Sequence, residues 1–74
     1  HKRFARARNS LGGELWDRGR LDEAAAAFRE AVRLDPGNVR AHNDLGCVLR
    51  DKGEADRAVQ WFRAALRINP DYVY

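Results

Sequence analysis

The chain repeats itself after 34 residues, and this period limits the possible fold more than any other feature of the sequence. When residues 1–40 are aligned with residues 35–74, 16 of the 40 pairs are identical and no insertion shifts the alignment. The identical pairs include leucine, glycine, phenylalanine and proline at fixed places, namely Leu11 and Leu45, Gly12 and Gly46, Gly19 and Gly53, Phe28 and Phe62, and Pro36 and Pro70. A constant period of this length predicts two copies of one small structural unit.

The first unit opens with a predicted helix over about residues 5–18. Leu11 and Leu15 stand four residues apart, a spacing that places both on one inward helical face. Gly19 then supplies the left-handed residue with which helices commonly end. Gly12 lies inside the helix, where glycine costs up to about 1 kcal/mol relative to alanine. We therefore expect a partner helix to approach the backbone closely at Gly12.

A second helix is predicted to run from about Asp22 to Leu34. Asp22 and Glu23 place negative charge at its N-terminal end, which the helix dipole favours. Pro36 ends this helix, since proline disfavours a helical conformation in the residue before it. Asn38 is a suitable N-cap for the helix that follows. The first unit is therefore expected to be a pair of helices.

The second unit carries the same signals in the same order. It predicts one helix over about residues 39–52, with Leu45, Val48 and Leu49 turned inward, and another from about Asp56 to the residues before Pro70. The chain is therefore expected to contain four helices.

The period and the residues that keep it resemble the tetratricopeptide repeat, in which Leu-Gly is followed by Gly, Ala, an aromatic residue, Ala and Pro. The matching residues are Leu11, Gly12, Gly19, Ala24, Phe28, Ala31 and Pro36 in the first unit, and Leu45, Gly46, Gly53, Ala58, Phe62, Ala65 and Pro70 in the second. Arg8 and His42 replace the usual tryptophan, and leucine replaces the usual aromatic residue at Leu15 and Leu49. These departures imply a less aromatic core.

The resemblance implies an all-α fold in which two antiparallel helix-turn-helix hairpins stack as an α-solenoid. On this basis residues 1–4 form a basic lead-in, 5–38 the first repeat and 39–72 the second. Residues 73–74 would begin a third unit, because Val73 aligns with Val39. The chain is then expected to be a fragment of a longer array.

Several classes of site are not expected. One cysteine excludes an internal disulfide, and two histidines 41 residues apart give no zinc-site spacing, so we expect neither metal nor cofactor. No apolar run approaches the length that crosses a membrane, and no signal-peptide pattern opens the chain, so we expect a soluble, cytoplasmic protein. We also expect no enzyme, because no phosphate loop or catalytic triad occurs and His42 and Cys47 lie on different helical faces.

The first helix of each unit has a polar face opposite its leucines. In tetratricopeptide repeats this face lines a concave groove that holds an extended peptide or a partner helix, so the resemblance implies a protein-interaction module. The candidate groove residues are Arg6, Asn9, Gly13, Trp16, Asp17, Arg40, Asn43, Asp44, Cys47, Arg50 and Asp51. The alternative is an ordinary solvated helix surface. Trp16 is either an interface anchor or folded over a neighbouring side chain.

The chemistry of this face leaves the ligand open. Its arginines and asparagines suit a peptide backbone or a terminal carboxylate, whereas its aspartates suit a ligand with positive charges. The formal charge of +3 comes from 14 basic residues interspersed with 11 carboxylates, a pattern typical of solvated helix faces. The rival hypothesis is a nucleic-acid-binding repeat that uses the arginine-rich surface.

The last helix is expected to keep an apolar face of the kind that an internal repeat buries. Repeat arrays normally close with a polar cap, which this sequence lacks. We therefore expect homo-oligomers, formed by head-to-tail stacking or by hairpin exchange. The predicted self-association residues are Val59, Trp61, Leu66, Ile68, Tyr72 and Tyr74.

Overall fold

A computed structural model describes residues 2–71 of the chain, and these residues form four helices without a strand. The helices are α1 (Lys2–Asp17), α2 (Leu21–Leu34), α3 (Val39–Asp51) and α4 (Ala55–Ile68). The all-α prediction is confirmed. Tyr72 and Tyr74, which were predicted to contribute to self-association, lie outside the described residues, as does the predicted start of a third unit at residues 73–74.

The boundaries of three helices lie within about one residue of the predicted positions, whereas α1 begins three residues early. It starts at Lys2 rather than near Ala5, so residues 2–4 of the predicted lead-in are helical. These residues are Lys, Arg and Phe, none of which breaks a helix. The sequence therefore contained no signal that separates the lead-in from α1.

Each hairpin closes through a glycine in the left-handed region. The φ angle is 76° at Gly19 and 85° at Gly53. The next amide donates back into the helix in both units: Arg20 N–H to the Leu15 carbonyl at 2.9 Å, and Glu54 N–H to the Leu49 carbonyl at 2.8 Å. This is the Schellman arrangement, which favours glycine because a Cβ is strained there. The predicted role of both glycines is confirmed.

The connection between the units also follows the prediction. Helix α2 ends at Leu34, two residues before Pro36. The Asn38 side-chain oxygen accepts a hydrogen bond from the Ala41 amide at 3.1 Å, so Asn38 caps α3.

The two helices of each hairpin approach closely at a glycine that faces a phenylalanine. A Cβ on Gly12 would lie 2.6 Å from Cε1 of Phe28, and a Cβ on Gly46 would lie 2.6 Å from Cε1 of Phe62. No alanine fits at that distance without movement of the ring. The close approach predicted at Gly12 is therefore confirmed, and the phenylalanine of the second helix makes it.

One core joins the two units. Its buried members are Ala24, Ala25, Phe28, Leu45, Val48, Leu49 and Ala58, from α2, α3 and α4. Leu45, Val48 and Leu49 are inward, as predicted. The equal prediction for Leu11 is wrong, because that side chain is 40% exposed whereas its repeat equivalent Leu45 is fully buried. Helix α2 covers Leu45, and no described helix occupies the corresponding place beside α1.

Candidate functional site

Helices α1 and α3 lie side by side and run in the same direction. The indole Nε1–H of Trp16 donates to Oδ2 of Asp51 at 2.8 Å. Nearer the N-terminal ends, the Asn9 side chain donates a hydrogen bond to the Asp44 carboxylate. Both pairs are 35 positions apart in sequence. Each residue of α1 therefore faces the residue one place beyond its repeat equivalent in α3.

This pairing leaves a groove of about 590 Å³. Its lining combines polar side chains of α1 and α3 with the edge of a core ring. The lining residues are Arg6, Asn9, Ser10, Gly13, Glu14, Trp16, Asp17, Phe28, Asn38, Arg40 and Asp44. A concave surface with a few convergent polar groups is the usual form of a ligand site.

Seven of the predicted groove residues line this cavity, namely Arg6, Asn9, Gly13, Trp16, Asp17, Arg40 and Asp44. The other four, Asn43, Cys47, Arg50 and Asp51, do not. Asn43 is only 6% exposed, and Asp51 is occupied by Trp16. Asp44 and Asp51 of α3 point towards α1, whereas Asn43, Cys47 and Arg50 lie outside the lining of the groove. The junction between the two units therefore forms one groove, and the rest of the polar face of α3 lies outside it.

Four lining residues were absent from the predicted set. Glu14 aligns with Val48, which was predicted to point inward, and Phe28 is itself a core residue, so neither was named as a groove candidate. Ser10 lies on the predicted polar face of α1, and Asn38 was expected only as a cap. The one available signal was the Gly12-Gly13 pair, because the absence of side chains there uncovers the Phe28 ring.

The groove is electrically polar along its length. Arg6 and Arg40 lie towards the N-terminal ends of α1 and α3, whereas Glu14 and Asp17 lie in the last turn of α1. Because the helices are parallel, their dipoles add the same polarity, positive at the arginine end and negative at the aspartate end. The two ends of the groove therefore carry opposite charge.

Asp44 is the most constrained carboxylate of the groove. Its partial burial raises its pKa, and the positive charge of Arg40 and the hydrogen bond from Asn9 oppose that shift without cancelling it. The Arg40 Nε atom lies 3.7 Å from Asp44 Oδ2, so the pair is loose. A carboxylate that is short of solvation gains from any further donor brought by a ligand.

Trp16 packs as well as lining the groove. Its ring meets Phe28 edge-on, with centroids 6.1 Å apart and planes at 88°, and it packs against the core. The Nε1–H bond to Asp51 fixes the other edge of the indole. The tryptophan is therefore folded over Phe28, with part of its surface still in the groove, and its role as an interface anchor stays a prediction.

Two equivalent asparagines hold buried oxygens that accept no hydrogen bond within residues 2–71. These are Oδ1 of Asn9 and Oδ1 of Asn43. An unsatisfied buried acceptor costs about 1–3 kcal/mol. Both oxygens are shielded from solvent, so neither is open to a ligand in this conformation.

Cys47 and His42 are not arranged for nucleophilic catalysis. Cys47 Sγ accepts a long contact of 3.9 Å from the Asn43 amide, and burial raises the pKa of the Cys47 thiol. A raised pKa lowers the thiolate fraction. The His42 ring is buried against Trp61, and its Nδ1 lies 2.8 Å from the Asn38 carbonyl oxygen.

Two further kinds of site do not occur in the part of the chain that the structure describes. None of the four helices has the length and apolar character needed to cross a membrane. No group of three or more potential metal ligands comes together there.

Comparison with known proteins gave a family and a set of similar structures. A family model described as "Tetratricopeptide repeat" matches residues 9–73. Two solved structures, described as crystal structures of MamA, superpose on the chain with TM-scores of 0.88 and 0.85 at 31% and 28% sequence identity. They match 90% and 96% of this chain, which spans only 39% and 42% of their lengths. No curated protein sequence matches significantly.

Proposed function

The chain belongs to the tetratricopeptide repeat family, and from that membership we propose a non-catalytic module that binds a short extended peptide, or the edge of a partner helix, in the groove between α1 and α3. Its two repeats are residues 5–38 and 39–72. The family favours a protein-interaction role in general, and the groove gives the more specific statement its support.

The concave surface itself, on which polar side chains of α1 and α3 converge, is the observation that carries the proposal. Peptide backbones present regularly spaced N–H and C=O groups, and the groove lining offers amide, carboxylate and guanidinium side chains to them. From Arg6 to Asp17 the groove follows three helical turns, about 16 Å at 1.5 Å per residue. An extended chain covers that distance with about five residues.

The charges indicate what the ends of such a peptide carry. An acidic residue or terminal carboxylate fits beside Arg6 and Arg40, whose guanidinium groups bind carboxylates well. A lysine or arginine fits beside Glu14 and Asp17. The predicted residues outside this cavity, Asn43, Cys47, Arg50 and Asp51, would contact a ligand long enough to pass on to the exposed side of α3.

A displayed library of random ten-residue peptides tests this proposal. Selection on the chain should yield a consensus with an acidic and a basic residue about five positions apart. Arg40→Ala should weaken the selected peptide by about tenfold, because it removes the partner of the acidic end. Arg63→Ala is the matched control, since Arg63 is exposed on α4, away from the groove. A selection without a consensus, or equal effects of both variants, would contradict the proposal.

Nucleic acid is the rival ligand, and the ion pairs argue against it. Several basic groups already contact carboxylates, including Arg20 with Glu23 at 3.0 Å and Arg57 with Glu54 at 2.7 Å. A salt titration separates the peptide-binding hypothesis from the nucleic-acid-binding hypothesis. Phosphate binding makes log affinity fall steeply with log salt concentration, whereas peptide capture by one or two ion pairs gives a shallow slope.

Self-association is a second candidate function, and the exposed apolar side chains favour it. Val59, Leu66 and Ile68 on α4 are 42%, 36% and 41% exposed, and Leu11 on α1 is 40% exposed. Trp61 lies partly buried beside them. Exposed apolar patches commonly mark interaction sites. Sedimentation velocity over a concentration series should show species larger than the monomer, and a monomer at all concentrations would remove this candidate.

A further inference from the structure

We infer that a second copy of this chain stacks head to tail on the first, with α1 of one copy against α4 of the other in the register of the internal junction. This inference rests on the proposed self-association. It adds the partner surface, the direction and the pairs of residues that meet. Three polar contacts and one apolar surface hold the internal junction together. The repeat equivalents of the residues that make them would meet at the junction between two copies.

The apolar surfaces are those that the internal junction buries. Within the chain, Ala25 and Phe28 of α2 meet Leu45 and Leu49 of α3 in one fully buried cluster. The repeat equivalents of these α2 residues on α4 are Val59 and Phe62. The repeat equivalents of the α3 residues on α1 are Leu11 and Leu15, which are exposed and half-buried. Both halves of a second such cluster are therefore present, on opposite ends of one chain.

The first polar contact to transfer is an ion pair. Lys52 Nζ lies 2.6 Å from Oδ1 of Asp22, which links the end of α3 to the start of α2. The repeat equivalent of Asp22 is Asp56, and that of Lys52 is Arg18. The stack places Asp56 of one copy beside Arg18 of the next. Asp56 and Arg18 therefore have opposite charges, as Asp22 and Lys52 do. Neither Asp56 nor Arg18 makes an ion pair within residues 2–71.

The second contact changes its residues and keeps its complementarity. Trp16 donates to Asp51 inside the chain. The repeat equivalent of Trp16 is Arg50, and that of Asp51 is Asp17. The stack thus sets the Arg50 guanidinium of one copy against the Asp17 carboxylate of the next. A hydrogen bond to a carboxylate is replaced by a full ion pair.

The third contact is the bond from Asn9 to Asp44. Its transferred equivalents are Asn43 of one copy and Ser10 of the next. The Ser10 hydroxyl accepts hydrogen bonds as the Asp44 carboxylate does, and Asn43 retains the amide. The two transferred charge pairs are therefore complementary, which argues for a second copy as the occupant in this register, whereas Asn43 is only 6% exposed and would have to turn outward to reach Ser10.

A head-to-tail contact uses two different surfaces, so it does not close at the dimer. Copies should add to both ends, and the average mass should continue to rise with concentration. A two-fold dimer would instead pair α4 with α4 and bring Asp56 near its own copy. The stoichiometry therefore distinguishes the two arrangements.

Two double variants test the register at constant net charge. The front variant carries Asp17→Arg and Arg18→Glu on α1 and the turn that follows it. The back variant carries Arg50→Asp and Asp56→Arg on α3 and α4. Each variant alone turns two attractive contacts at every junction into repulsive ones, so its self-association should weaken by about tenfold. In an equimolar mixture, opposite charges meet at every junction between the two different variants, whichever of them contributes the front face.

The expected result is weak association for each variant and association close to wild type, within about twofold, for the mixture. Circular dichroism of each variant shows whether the helices are retained. Arg63→Glu is a control for reversal of a charge outside the interface. Arg63 is exposed, and its equivalent Arg29 on α2 stays exposed although α3 packs on that helix.

The outcomes separate the inference from the proposed function. If the wild type is monomeric at every concentration, self-association itself fails. If it associates and the mixture behaves like the separate variants, another surface is used and the register is wrong. Growth that stops at a dimer would also overturn the head-to-tail arrangement.

Discussion

The Nε1–H group of Trp16 donates a hydrogen bond to Oδ2 of Asp51 at 2.8 Å, and so joins the last turn of α1 to the last residue of α3. Trp16 also packs edge-on against Phe28 of α2. One side chain therefore contacts both units and both helices of its own hairpin. Trp16 therefore links the two repeats along the groove.

Replacement of Trp16 should separate its two roles. Trp16→Phe keeps an aromatic ring on Phe28 and loses the hydrogen bond, at a cost of about 1 kcal/mol. Trp16→Ala loses the packing as well and should cost about 2–4 kcal/mol, less than a fully buried tryptophan because the ring is half-exposed. Urea unfolding measures both. Equal stability of Trp16→Ala and wild type would show that the residue serves only the groove.

Two neighbouring glycines should respond in opposite directions to the same substitution. Gly12→Ala places a methyl group against the Phe28 ring and should destabilise the fold by about 1–3 kcal/mol. Gly13→Ala meets no atom within 4 Å and should stabilise α1 by about 0.5–1 kcal/mol through helix propensity. Thermal melts of both variants give the comparison. Loss of stability in Gly13→Ala would contradict the open groove beside it.

The two equivalent phenylalanines should differ in their contribution to stability. The sequence alone predicts a loss of about 3–5 kcal/mol for Phe62→Ala. The structure assigns a loss of that size to Phe28→Ala, because Phe28 is fully buried between the units and Phe62 is only partly buried. We expect about 1–3 kcal/mol for Phe62→Ala. Denaturant titration measures the loss of stability in each variant. A larger loss in Phe62→Ala than in Phe28→Ala would contradict the prediction.

The fold followed from the sequence because its signals are local and occur twice. Gly19, Gly53 and Asn38 each act within a few residues, so their roles could be assigned without knowledge of the tertiary structure. The exposure of Leu11 could not be assigned in this way. The repeat pattern makes Leu11 and Leu45 equal, and only the presence of α2 beside one of them makes them different.

The groove was less predictable than the fold. Helical periodicity identified a polar face on α1 and on α3, and the structure uses that face of α1 together with the start of α3. Asn43 fell outside the cavity because the register between the units is 35 residues and not 34. That offset arises from side-chain packing between helices, and no spacing within one unit encodes it.

Asp44 should make stability depend on pH in a direction opposite to that of most carboxylates. Burial raises its pKa in the folded state, so the folded state holds the proton more tightly than the unfolded state. Its contribution is most favourable below the ordinary carboxyl pKa of about 4 and is lost as the pH rises through the folded pKa. Asp44→Asn removes the charge and keeps an acceptor for Asn9.

Asp44→Asn should therefore be more stable than wild type at pH 7, and the gain should shrink towards pH 3. Urea unfolding at both pH values measures the difference. Asp71→Asn is the matched control for the loss of one negative charge, because Asp71 is exposed at the end of the described chain. A gain for Asp44→Asn that is larger at pH 3 would contradict the role of burial.

Glu14 is the residue at which the proposed junction between copies departs from the internal one, and its replacement gives the last prediction. Its repeat equivalent Val48 is fully buried between the units, whereas Glu14 is exposed and lines the groove. In a head-to-tail stack, a carboxylate would occupy the place of a buried methyl group and would have to keep its solvation through the groove. This mismatch weakens the stack relative to the internal junction. Glu14→Val should remove the mismatch and bury apolar area worth about 1.5 kcal/mol or more, which tightens association by about tenfold.

Two controls separate this effect from non-specific association caused by added apolar surface. Glu14→Gln removes the charge without adding apolar surface, and it should tighten association far less than Glu14→Val. Gln60→Val adds a valine at an exposed position that the stack should not cover, because its equivalent Ala26 on α2 stays exposed at the internal junction. This variant should leave association unchanged. Sedimentation equilibrium of the four proteins gives the association constants. If Gln60→Val promotes association as strongly as Glu14→Val, added apolar surface alone explains the result, and Glu14 has no specific place in the interface.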